Sequence, residues 1–137
     1  MFAAFTRRSG AVPALCLVLA ATPLAARPPL GEVSAVTEGL IATGIAYEIS
    51  EVCEDLAPRR LRGIGFLLSL RQHALELGYS RDEVDAFINN DAEADRLESL
   101  ARARLAEMGA VEGQPETYCR VGLQEMAADS QIGRLLR

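Results

Sequence analysis

Few side chains in this 137-residue sequence have a type and spacing that could do chemistry. They are three cysteines, a single histidine, the acids Asp91, Glu93 and Asp95, and the arginines Arg59, Arg60 and Arg62. A general base needs an orienting partner and a nucleophile or substrate within reach. The sequence places neither beside His73, which falls on the Gln72/Glu76 side of its segment and reads as a solvated surface residue. The three acids alternate as ligands of a calcium loop do, but the sharp turn of such a loop needs glycine where Arg96 stands. They more simply complement a helix N-terminus. No Cys-x-x-Cys-His is present for covalent haem, and two distant cysteines make no zinc site. The expectation is no catalytic residue, no metal, no cofactor and no enzyme.

Arg59, Arg60 and Arg62 are a different matter. They fall in the first turn of a helix, where the macrodipole disfavours positive charge. Such a triplet suits contact with an acidic partner or a lipid headgroup. The simpler reading pairs it with Glu51, Glu54 and Asp55 just upstream.

What the cysteines do depends on the N-terminus. Arg7 and Arg8 precede an apolar run from Ala11 to Ala21, Thr22-Pro23 interrupts it, and Leu24-Ala25-Ala26 supplies small residues. That is the order of a secretory signal peptide, with cleavage expected after Ala26. The run is shorter than the roughly 20 residues a membrane span needs. Arg7-Arg8 also raises twin-arginine export, but Ser9-Gly10 stands where that signal carries a bulky apolar pair. Residues 1–26 are thus read as a signal and 27–137 as one domain. Cys16 leaves with the signal, and Cys53 and Cys119 remain as an even pair in an oxidising compartment. They are expected to form a disulfide.

Charge narrows the partners further. Twelve of the fourteen basic residues and all nineteen acidic ones lie beyond Ala26, a net charge of −7. Every basic residue is arginine. Such a surface repels nucleic acid, which requires clustered positive charge.

The elements that must position these residues are helical. Arg27-Pro28-Pro29-Leu30-Gly31 is an extended lead-in, since two prolines forbid a helix. Val33, Val36, Leu40, Ile41, Ile45, Ile49 and Val52 then recur at helical spacing, with no charge from Gly39 to Tyr47. A helix apolar on most sides belongs at the centre of a bundle, and Gly39 and Gly44 would let neighbouring backbones approach it. Pro58 suits the first position of a second helix, with Leu61, Ile64, Phe66, Leu67, Leu68 and Leu75 as its buried side and Gly78 as its stop. Ser80 and Glu83 form a capping box, with Tyr79 and Val84 as its staple, opening a short third helix. Asn89-Asn90-Asp91 breaks that helix and caps a fourth, from about Ala92 to Met108, on whose wet side Glu98 and Arg102 pair. Pro115 starts a fifth helix, with Cys119 in its first turn, and Ile132, Leu135 and Leu136 close the chain in a short amphipathic turn. No segment alternates long enough for a strand. The expected fold is all-α, a compact bundle of about five helices with one disulfide.

Several words of the chain occur together in a familiar order. They are Arg27-Pro28-Pro29-Leu30, Cys53, Gly78-Tyr79-Ser80, Tyr118-Cys119 and the closing stretch from Ser130 to Arg137. In these the chain resembles the bacterial domain-of-unknown-function family 5333 over essentially the whole of residues 27–137. The resemblance implies a small exported protein with two cysteines and no established activity. It also implies an accessory or assembly role beside the respiratory NADH:quinone oxidoreductase, although an exported protein lies on the wrong side for that enzyme's hydrophilic arm. No functional residue carries over. The resulting expectation is a non-catalytic periplasmic interaction or accessory protein, acting on a protein partner or a membrane surface. A periplasmic acid or stress chaperone is the rival, by analogy of gross properties alone.

Overall fold

Residues 26–137 are described in the computed structural model of the protein. The expected signal peptide, with Arg7, Arg8 and Cys16, lies outside the described residues but for Ala26. A 3-10 turn at Leu30–Glu32 leads into α1 (Ser34–Val52), α2 (Arg60–Glu76), α3 (Arg81–Ile88), α4 (Asp91–Glu107), α5 (Pro115–Ala127) and α6 (Gln131–Arg134). The described residues form no strand, only isolated bridges. No described helix is long and apolar enough to cross a membrane.

The apolar periodicity of α1 puts it at the centre, in contact with α2, α4, α5 and α6. Its Ile41, Ile45, Ala46 and Ile49 are buried in the larger core with Leu56, Leu105, Val121 and Leu136. Its two glycines admit different neighbours. A Cβ at Gly39 would lie 2.7 Å from a methyl of Leu70 on α2, and one at Gly44 3.2 Å from Cβ of Ala101 on α4. Leu30, Val36, Ala74, Tyr79 and Val84 make a second, smaller core where the lead-in crosses α2 and α3.

Local signals place the junctions. Ser80 accepts from the Glu83 amide at 3.1 Å, and the Glu83 carboxylate accepts from the Ser80 amide at 2.6 Å, closing the capping box. Tyr79 and Val84 staple it inside the smaller core. The Tyr79 hydroxyl donates to the Pro28 carbonyl at 2.5 Å, and the Arg27 guanidinium lies 4.8 Å from its ring centre. The proline-rich lead-in is therefore fastened to the domain. Asn90 caps α4 through the Glu93 amide at 3.2 Å, and Pro115 occupies the first turn of α5.

Two expectations change. Pro58 does not open α2. Ala57 and Arg59 pair with the chain's last residues instead, the Ala57 amide to Arg137 oxygen at 2.8 Å and the Arg59 amide to Leu135 oxygen at 2.7 Å. This pairing holds the segment extended and delays the helix to Arg60. The closing amphipathic turn puts Ile132, Leu135 and Leu136 in the larger core, as its apolar side suggested. The larger change concerns the apolar side of α2. Leu61, Ile64 and Leu68 are exposed by 87%, 56% and 59%, while Leu70 and Ala74 face α1 at 9% and 1%.

Candidate functional site

Cys53, at the C-terminal end of α1, is joined to Cys119 of α5 by a disulfide that closes 66 residues, with Cα atoms 5.2 Å apart. Cys119 is the fifth residue of α5, just past the first turn in which the sequence placed it. The Asp55 carboxylate approaches both sulfurs. An oxidised pair has no thiolate to offer a metal, so this grouping is a crosslink with an acid beside it.

Two of the alternating acids are used structurally, while Asp95 is exposed. Glu93 pairs with Arg96 at 2.8 Å, and Arg96 also donates to the Gly31 carbonyl at 3.0 Å, tying α4 to the 3-10 turn. Asp91 lies in the first turn of α4, where it complements the dipole. His73 is half-buried on α2, between the exposed Gln72 and the buried Ala74 in sequence. Elsewhere, Arg104 of α4 holds Glu38 of α1 in a bidentate ion pair, and this hydrogen-bonded contact keeps the Glu38 carboxyl below its ordinary range.

The arginines do not behave as the simpler reading had it. Among the described residues, none of Arg59, Arg60 and Arg62 forms an ion pair with Glu51, Glu54 or Asp55, or with any other acid. Arg59 turns its guanidinium inward, donating from Nε to the Leu136 carbonyl at 2.7 Å, and so helps hold the extended pairing. Arg60 and Arg62 stand exposed on either side of Leu61.

These two arginines border the second apolar face of α2. Phe66, Leu70 and Ala74 are spaced i, i+4, i+8 and turn toward α1; Leu61, Ile64 and Leu68 are spaced i, i+3, i+7 and turn the opposite way. Gly65, on the same side as Leu61, leaves the backbone beside them bare, since a Cβ there would meet nothing within 4 Å. Between Asp55 and Glu76 the chain has four arginines and no carboxylate side chain, in a domain otherwise rich in acid. The arginine triplet was legible in the sequence, but Leu61, Ile64 and Leu68 were missed as surface residues. The available signal was the acid-free stretch surrounding them.

A cleft of about 340 Å³ opens beside this face, between α2 and α4. Leu40 of α1 lies at its floor, Leu67 and Leu70 on one wall, Leu97 on the other, and Phe87 and Ile88 at its end. Arg71 also lines it, and is engaged by Asp85 of α3 at 2.8 Å.

No curated protein and no solved structure matches the chain. A family profile does match, over residues 28–137, which is the whole bundle with its lead-in, both cysteines and the α2 face. The chain belongs to that family, DUF5333, a family of unknown function.

Proposed function

We propose that this is an exported, non-catalytic protein that works by docking through the outer face of α2. The observation that carries the reading is the exposure of Leu61, Ile64 and Leu68 on the side of α2 opposite its core contacts. Isolated apolar residues on a surface need no explanation. Three on one stripe, flanked by Arg60 and Arg62 without acidic partners, mark an interaction surface. The order of charges, apolar run and small residues at the N-terminus supports export, and the disulfide suits an oxidising compartment. The face is exposed in the folded protein, so docking needs no acid trigger of the kind a pH-activated chaperone uses.

The test compares wild type with the triple variant Leu61→Ser, Ile64→Ser, Leu68→Ser in cells. After gentle release of the soluble envelope contents, wild type should remain with the envelope or run in a species larger than the monomer. The variant should appear as free monomer with an unchanged circular dichroism spectrum. Wild type and variant both running as free monomer would refute docking.

A further inference from the structure

We infer that the occupant of the α2 face is an anionic lipid surface, on which α2 lies flat. This deepens the docking reading and rests on it. Charge complementarity comes first. The stretch from Leu56 to Leu75 is purely basic, with Arg59, Arg60, Arg62 and Arg71, in a domain of net charge −7. No carboxylate side chain interrupts this stretch, although the domain holds nineteen acids. Arg71 is paired with Asp85, and Arg59 donates to Leu136, which leaves Arg60 and Arg62 as the free guanidinium groups. They leave the helix on either side of Leu61, the most exposed of the three apolar residues. Their planar donors suit phosphate, and their stems can lie along the apolar boundary while the charged ends stay in the headgroups.

Shape is the second argument. Leu61, Ile64 and Leu68 stand proud of a helix whose Gly65 adds nothing beside them. A fluid acyl boundary takes up such a convex ridge without a preformed pocket, whereas a protein partner must supply complementary recesses. A second copy mated through the same face would set one purely basic stretch, with its free Arg60 and Arg62, against another, and like charges oppose that pairing. No described helix is suited to span a bilayer, so the contact is one of lying on the surface.

The experiment is flotation of the purified, oxidised protein with vesicles of phosphatidylglycerol and phosphatidylethanolamine, and with vesicles of phosphatidylcholine alone. Binding is expected on the anionic vesicles, falling as salt is raised, and weak on the neutral ones. Arg60→Gln with Arg62→Gln should lower the partition by roughly 25-fold, at about fivefold per arginine. The triple serine variant should abolish binding, with melting temperature and helicity of both variants retained. No binding to anionic vesicles at low salt overturns the lipid assignment, as does equal binding to both vesicle types or binding that the variants leave intact. If vesicle binding fails while the triple variant still loses envelope retention or its larger species in cells, the face takes an acidic protein. In that outcome the docking reading stands and the lipid one falls.

Discussion

A single missing Cβ separates residues that build this protein from residues it leaves bare. At Gly133 the space a Cβ would fill is occupied by the backbone carbonyl of Glu125, so α6 rests directly on α5. Gly133→Ala must push two backbones apart and should destabilise the fold by about 2 kcal/mol or more. Gly65→Ala, on a helix with open space around it, should stabilise it by about 0.5–1 kcal/mol through lost unfolded-state freedom and better helix propensity. Urea unfolding of both variants checks this opposite pair of signs. The cysteines act on a larger loop. Reducing Cys53–Cys119 frees 66 residues of the unfolded chain, worth roughly 4 kcal/mol in loop entropy, so thermal unfolding with reductant should show a strongly lowered Tm. Thiol titration of denatured, unreduced protein should find both residues blocked. Glu83 gives the pH dependence. Hydrogen bonds from the Ser80 amide and hydroxyl hold its carboxyl below the ordinary value of 4.5. A depressed folded value means that its contribution is whole above 4.5 and is lost as pH falls through that lower value. Glu38, held down by Arg104, acts with the same sign. Stability measured by urea midpoint should be level from neutrality to about pH 5 and fall below that, and Glu83→Gln should reduce the slope.

Helix ends were legible in the sequence because their determinants are local. The Ser80–Glu83 box, the Asn90 cap and Pro115 each act within one turn and need no knowledge of the fold. The two glycines of α1 were also readable as places of close approach, and each faces a different helix. Ser80→Ala should therefore cost about 1 kcal/mol, because it opens the cap between two helices that share the smaller core. The direction in which α2 faces was not legible. Apolar residues occur on both of its sides, at Phe66, Leu70 and Ala74 and again at Leu61, Ile64 and Leu68. Periodicity alone weighs the two sides alike. What decides between them is distant in sequence: Gly39 on α1 makes room for Leu70, and nothing packs over Leu61. The fate of Pro58 was hidden for the same reason, since its segment is held extended by residues near position 136.

The whole molecule is a basic, apolar ridge carried on an acidic bundle. With Leu61, Ile64 and Leu68 already exposed, an apolar dye should bind at pH 7 and lose most of its signal in the triple serine variant. A chaperone switched on by acid would instead show a steep rise in dye binding toward pH 3, where protonated carboxylates leave the arginines to repel one another. The wider architecture sets an order of events as well. The central helix α1 comes first in the domain, yet the elements that bury it, α4, α5 and α6, come last, and Leu136 ends wholly enclosed. Cys53 must likewise wait for Cys119. The smaller core and the contact of α1 with α4 draw only on residues up to Glu107, whereas the larger core is complete only with Ile132, Leu135 and Leu136 in place. Removing Leu135, Leu136 and Arg137 should therefore lower the urea midpoint strongly, because two buried side chains and the partners of Ala57 and Arg59 go together.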